Sequence, residues 1–570
     1  MKIRSVKISN FRGIREMEWP ILGTVNCLIG PRDSTKTTVL DAIEYTLSSR
    51  WNIPFDDSDF YLSEPNNTIE IIVTLGQIPE ELMREEKFGL HARGWNQKDG
   101  INDEPKEGDE HVLSVRLRVD STLEPQWTIV NDRNKDGVKI SYKDRELFGL
   151  TRLGQEVDKH LSWMRGSILS QLTSNRRDAS AMLSRVLRAA RDIAEFDKID
   201  DLRNIAQKTK DAASHLGVKP STDYKPAFDS RGITGGFGAI SIHDGKIPLR
   251  LLGLGSRRLI ALGLQMSCAE RGSILLIDEV ENALEPYAII HLLHILQQSV
   301  NQPTAEGQVI MTSHSSIVIA ELGVDKLKIV RSVNGKTEVS AVNSDLQATV
   351  RSVPESLLGR KILVCEGKTE YGICRSLDKL WTQQNGKSLA YMGVALVEGG
   401  GVPKSSQRAS QLSSLGYPSC LFIDSDKLNE SKPSIDNLDA AGIKVIHWDD
   451  SVSTEQRIAM DLSWNAIKDV VSLLVEWQGE ESIFDPICSK LGRKRSDIGT
   501  NLDDWKNRIF NENQIRDAIG LAAKEAKDNK WFKRIDFGEE LGNIIIKDWN
   551  QISGEDLGLR LLELKSWIYA

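Results

Sequence analysis

The sequence has no long apolar run. No stretch approaches the roughly 18–20 uncharged apolar residues needed to cross a bilayer, so no membrane partner is expected. The opening MKIRSVKISNF lacks the apolar core of about 7–15 residues found in a secretory leader, which makes a cytoplasmic location the expectation. Cysteine is scarce, six residues at 27, 268, 365, 374, 420 and 488, with no CxxC pair. That scatter excludes a zinc ribbon and reads as reduced, buried thiols. Positive charge is not in excess either: the formal net charge is −8, so any nucleic-acid surface must be a local patch on an acidic body. There is no internal repeat and no low-complexity tract. What remains is 40% hydrophobic and 27% charged, an ordinary globular composition. At 570 residues the chain is too long for one core, and about two to four domains are expected.

The first chemistry-bearing stretch is LGTVNCLIGPRDSTKTTVLDAI, residues 22–43. An apolar strand ends at Gly30, a polar loop follows, and Lys36-Thr37-Thr38 opens an amphipathic helix. This is the layout of a phosphate-binding loop, whose backbone N–H groups and helix N-terminus face the anion while the lysine reaches the outer phosphates. Ser34, Thr35, Lys36 and Thr38 line such a loop, and Thr37 would hold Mg²⁺ through its hydroxyl. Thr35 stands where a glycine is expected.

Along the chain, strands are expected at 2–8, 14–19, 24–29 and 68–76, with a short helix near 79–87. An antiparallel meander over 111–142 should turn at Asp136-Gly137. Helical periodicity dominates from about 150 to 216. Arg176, Arg177, Arg185, Arg188 and Arg191 cluster there, forming either a solvated face or an interface or DNA-facing arm. Apolar strands at 273–279 and 309–314, separated by a helix, predict a parallel sheet covered on both faces. Residues 340–358 read as a joint. A second α/β unit follows, with strands near 361–367, 391–397, 419–426 and 444–450, and then mostly helix to residue 570.

Asp278-Glu279 ends the most apolar strand of the N-terminal half. An aspartate there can order Mg²⁺, and a glutamate can activate water. Gly253-Leu-Gly-Ser256-Arg257-Arg258 lies upstream at a helix start, and Ser313-His314-Ser315 ends the next strand. With the opening K-I-x-x-V-x-I-x-N-F-R-G, this order resembles the heads of RecF- and SMC-like ABC ATPases. The resemblance implies that Ser256 and Arg257 form the signature motif, that Leu284-Glu285-Pro286 is the D-loop and that His314 is the switch histidine. It implies ATP sandwiched between two heads, with Glu279 as the ATPase catalytic residue. Thr35 adds a side chain where backbone must approach phosphate, so both slow turnover and binding without turnover stay open.

Glu366-Gly367-Lys-Thr-Glu370 follows an apolar strand and opens a helix, and Asp424-Ser-Asp426 ends a second apolar strand of the same unit. Parallel strands bring such carboxylates to one sheet edge, where hard oxygens suit Mg²⁺ or Mn²⁺. The pairing resembles the Toprim domain. An ABC head followed by Toprim resembles the OLD (overcoming lysogenisation defect) family of ATP-dependent endonucleases, which includes anti-phage effectors. That resemblance implies an α/β fold with an ABC-type head over 1–150 and 217–345, a dimerising helical insertion over 151–216, and a Toprim nuclease domain with helical additions over 358–570. It implies ATP-regulated, Mg²⁺- or Mn²⁺-dependent DNA nicking or cleavage by a homodimer or higher oligomer. A helicase, or a retron reverse transcriptase with its nucleic acid, is a possible partner. Glu366, Glu370, Asp424, Asp426 and Glu455 would serve the metal, and Lys533, with Lys530 as the alternative, would neutralise charge. Two other functions compete: a DNA-clamping SMC/RecF-like ATPase without nuclease activity, and a Toprim ribonuclease.

Overall fold

The computed structural model describes residues 1–50, 53–154, 157–162, 167–169, 200, 243–244, 247–269, 274–300, 307–426, 435–525 and 531–570. Most of the helical insertion, with its arginine cluster, and Lys530 lie outside the described residues; where the expected helical region begins, Leu150–Leu153 is instead a strand, paired in register with the apolar strand at 274–277. By compactness the chain forms two units. The first comprises Met1–Leu28, Thr35–Ser313 and Ser332–Thr337, and the second Ile29–Ser34, His314–Arg331 and Glu338–Ala570.

The chain opens with three strands, β1 (Lys2–Phe11), β2 (Ile14–Pro20) and β3 (Val25–Ile29). In β1 the apolar residues Ile3, Val6 and Ile8 are buried while Lys7 is exposed, the pattern of a strand with one wet face. It pairs antiparallel with β2 and with β4 (Ile69–Gly76), and the ladder continues through β5 (Glu110–Val119) to β6 (Gln126–Val130).

The other part of this unit is parallel. β7 (Leu150–Leu153), β8 (Ile274–Ile277) and β9 (Gln308–Thr312) run beside β3 in the order β7-β8-β9-β3. β8, β9 and β3 are buried at every position, as their unbroken apolar character requires. Register matters more than composition here. Leu153 pairs with Ile277, Ile277 with Met311 and Thr312 with Leu28, so the strands end level and Asp278 emerges beside the end of β9. Helices α1 (Lys36–Leu47), α2 (Leu254–Ala269) and α3 (Pro286–Val300) follow β3, precede β8 and link β8 to β9. The first unit is thus a mixed α/β sheet with helices, the fold class that the sequence pattern predicts.

The expected helix near 79–87 is absent. Its backbone bonds are single turns, Leu82 N–H to Pro79 O and Met83 N–H to Glu80 O. Glu81 and Glu85 would stand four apart as like charges on a helix, and Lys87 instead pairs with Glu81 and Asp144.

The second unit holds a four-stranded, all-parallel sheet. Its strands are β10 (Lys361–Cys365), β11 (Val394–Glu398), β12 (Ser419–Ile423) and β13 (Lys444–His447), in the order β11-β10-β12-β13. Helix α4 (Lys368–Asn385) leaves the end of β10. Later come α5 (Thr454–Asp461), α6 (Glu512–Glu525) and α7 (Ile535–Lys547). Helices α4 and α7 cross in backbone contact. A Cβ on Gly372 would stand 2.7 Å from the Gly538 Cα, and one on Gly538 would stand 2.7 Å from the Thr369 carbonyl. Only glycine permits that approach.

Candidate functional site

At the phosphate-binding loop, Gly30 has φ +143°, and a Cβ on it would lie 2.5 Å from the Val330 carbonyl oxygen. Thr35 is the N-cap of α1, with φ 65° and ψ 15°. A left-handed threonine is strained, which explains why glycine is expected here. Its hydroxyl lies 3.2 Å from that of Thr337, which in turn donates to Ser332. Its methyl lies against Gly13, where a Cβ would be 3.1 Å away. Lys36 is buried.

The loop helix and the Asp278 strand end meet through hydroxyls. Thr37 Oγ1 donates to Asp278 Oδ1 (3.1 Å), and Thr312 Oγ1 donates to the same oxygen (2.7 Å). Glu279 is also left-handed (φ 48°), its N–H donating to Thr312 Oγ1 at 2.7 Å. Arg258 is buried, and its Nη2 donates to the carbonyls of Asp278 (2.5 Å) and Glu279 (2.6 Å). The Gly-Ser turn at the head of α2 is thereby fastened to the acidic pair. Ser256 is exposed, and Arg257 is ion-paired with Asp158. Leu284-Glu285 directly precede α3, and His314 is exposed after β9. The hydroxyl–carboxylate pair Thr37/Asp278 supplies the hard oxygens that a nucleotide-bound Mg²⁺ takes.

In the second unit, the carboxyl ends of β10 and β12 bring Glu366 and Asp424 together: the Asp424 N–H donates to Glu366 Oε2 at 2.8 Å. Glu370, in the first turn of α4, accepts the Gly367 N–H at 3.0 Å. Asp424 Oδ1 accepts both the N–H (2.8 Å) and the hydroxyl of Thr454, the first residue of α5. Glu455 follows on the same turn. Asp426 is ion-paired with Lys524, Nζ to Oδ2 3.0 Å.

These acids are crowded and poorly solvated. Burial pushes Glu366 up to about 7, reinforced by the charges of Glu370, Asp426 and Glu455. Burial raises Glu370 too, the Thr454 bond opposing it and Glu455 adding to it. Asp424 is raised well above the usual carboxylate range by burial and then by Glu370, Glu455 and Glu366. Among the described residues, no three His, Cys, Asp or Glu side chains form a ready ion cage. The donor set nonetheless suits a hard divalent cation: the buried Glu370 stands among the half-buried carboxylates of Glu366, Asp424, Asp426 and Glu455.

Lys533 is exposed, just before α7, and its position is fixed by its neighbour, since Thr369 donates to the Phe532 carbonyl at 2.8 Å. Lys524, which reaches Asp426, carried no sequence signal. It reaches the acids because α6 lies on α5, where a Cβ on Gly520 would be 3.1 Å from the Gln456 Cα. Thr454 likewise carried no sequence signal beyond standing next to Glu455.

Residues 1–319 match the AAA ATPase domain family. The OLD nuclease of Thermus scotoductus (strain ATCC 700910 / SA-01) is 24% identical over 347 residues, covering 58% of this chain and 62% of that protein. The chain thus spans under two thirds of that relative's length. Two solved structures overlap in part. The SMC head bound to the C-terminal winged-helix domain of ScpA shares 13% identity, with a TM-score of 0.35 over 61% of this chain and 100% of that one. The SMC head domain from Thermotoga maritima shares 14%, with a TM-score of 0.29 over 60% and 100%. Among the described residues, no helix is long and apolar enough to cross a membrane. On the match over its first 319 residues the chain belongs to the AAA ATPase domain family, as an ATPase related to the OLD nucleases.

Proposed function

We propose that this chain is an ATP-regulated, divalent-metal-dependent DNA endonuclease whose cutting centre is the carboxylate cluster of the second unit. The observation that carries the reading is the crowding of Glu366, Glu370, Asp424 and Glu455. Burying mutually repelling carboxylates is costly, and a divalent cation offsets that cost. Such a cation supplies activation of the attacking water and stabilisation of the leaving oxygen.

The chain's own residues do the rest. Backbone N–H groups fix Glu366 and Glu370, and Thr454 fixes Asp424. Lys524 holds Asp426 in place and, with Lys533, offers positive charge to the phosphodiester as its oxygens gain charge. In the first unit, Thr35 to Thr38 face ATP, Lys36 reaches its outer phosphates, and Thr37 with Asp278 serve Mg²⁺. Glu279 is positioned for water, and the exposed Ser256 is available to a nucleotide held by a second copy. Strain at Thr35 suits a site that holds ATP longer than it hydrolyses it. A homodimer or higher oligomer, DNA as substrate, and a role in anti-phage defence beside a helicase or reverse transcriptase extend the reading from the OLD relation.

Purified full chain incubated with supercoiled plasmid and Mg²⁺ or Mn²⁺, with and without ATP, tests it. Nicked or linear product that responds to nucleotide is expected. Plasmid left intact under every nucleotide condition overturns it, and cleavage of RNA alone would assign the centre to a ribonuclease.

A further inference from the structure

Arg152 belongs to none of the motifs, yet it stands at the centre of the nucleotide site. The parallel register of β7 on β8, Arg152 opposite Leu276, brings it level with the end of the Asp278 strand. Its guanidinium donates to three carboxylates at once: Asp278 Oδ2 at 3.2 Å, Glu44 Oε2 at 2.9 Å, and Asp41 Oδ1. Asp41 and Glu44 lie on α1, four and seven residues beyond Thr37, so one helical face presents the hydroxyl and both acids. The four side chains are largely shielded, 12% exposed for Arg152, 11% for Asp278, 15% for Asp41 and 21% for Glu44. The other oxygen of Asp41 is taken by Arg12, which also binds Asp59 at 2.8 Å.

Without Arg152, three shielded carboxylates would face one another next to the Thr37 hydroxyl. That is an attractive place for a bare divalent cation, whether or not a nucleotide is present. We propose that Arg152 is the built-in counter-ion of the nucleotide site. With Arg12 on the other oxygen of Asp41, it offsets much of the negative charge of Asp41, Glu44 and Asp278 while no nucleotide is bound, so that the divalent cation enters with the phosphates and not before them. The guanidinium repels a lone cation across Asp278. ATP brings about four negative charges of its own, which outweigh that repulsion. Arg152 is thus a positioning residue that sets the order of loading. The proposal rests on reading Lys36 and Asp278 as an ATP–metal site.

Mn²⁺ binding followed by electron paramagnetic resonance tests it on the full chain carrying Glu366→Gln and Asp424→Asn, which silence the acidic cluster of the second unit. This parent should hold no Asp278-dependent Mn²⁺ without nucleotide and gain one on adding ATP. Adding Arg152→Gln should create a nucleotide-free Mn²⁺ site at least tenfold tighter than in the parent, lost again with Asp278→Asn. Arg152→Lys, which keeps the charge, should behave as the parent. A parent that already binds nucleotide-free Mn²⁺ through Asp278 overturns the proposal. So does a folded Arg152→Gln chain that gains none. Should Arg152→Gln not fold, the parent arm decides by itself. Failure of fluorescent ATP to bind the parent at all would instead sink the ATP-site reading.

Discussion

Replacing Glu366 with glutamine should stabilise the metal-free protein, an unusual outcome for a residue assigned to a working site. Burial and neighbouring acids raise the Glu366 carboxyl from 4.5 to about 7. A carboxyl raised in the folded state favours folding while protonated, below pH 4.5. That contribution is lost as pH rises through 7. Above pH 7, ionised Glu366 therefore costs about 3 kcal/mol, at about 1.4 kcal/mol for each pKa unit. Glutamine is isosteric and uncharged, and its carbonyl can still accept the Asp424 N–H that Glu366 now takes at 2.8 Å. Because Glu370 and Asp424 share the same repulsion, one substitution should recover about 1–3 kcal/mol. For a unit of this size that is a rise of several degrees in Tm. Calorimetry in EDTA at pH 8 and at pH 4.5 reads it. The variant should melt higher at pH 8 and equally at pH 4.5, and Mn²⁺ should stabilise it less than the wild type. Equal or lower melting at pH 8 would refute the idea that charge crowding defines the site.

Three further outcomes follow. Thr35→Gly removes a left-handed threonine, a strain of roughly 1–2 kcal/mol, along with its Thr337 contact, and should speed ATP turnover severalfold. An unchanged rate would show that Thr35 does not slow the site. Gly538→Ala inserts a methyl where the Thr369 carbonyl stands 2.7 Å away and should cost the second unit about 1–3 kcal/mol, read as a lower urea midpoint. His160 is held neutral by burial and by Lys159, down to about 4, against about 6.5 when unfolded. Its contribution is present above pH 6.5 and lost as pH falls through 4, so His160→Gln should flatten acid destabilisation of the first unit across that window.

What was legible in the sequence was local or tied to strand ends. Gly30, Lys36 and Thr37 sit on one continuous strand–loop–helix segment, and Glu366 and Asp424 each end an apolar strand. Parallel register then does what the pattern implies and sets those ends side by side. Contacts made by distant pairings were not legible. Thr337, which meets Thr35, is 302 residues away. Arg152 reaches Asp278 only because β7 pairs with a strand 124 residues downstream (Leu150 opposite Ile274). Lys524 depends on one helix packing on another. The expected helix near 79–87 failed because periodicity ignores like charges and a competing partner in Asp144.

The most direct test of the account is the nicking rate of supercoiled plasmid at saturating Mn²⁺, wild type against Asp424→Ala. Asp424 joins Glu366 to Thr454 at the centre of the acidic cluster, so its loss should lower the rate by about a thousandfold or more while ATP binding is kept, as expected for removing a group that serves the metal. An undiminished rate would place the cutting centre elsewhere and contradict the account.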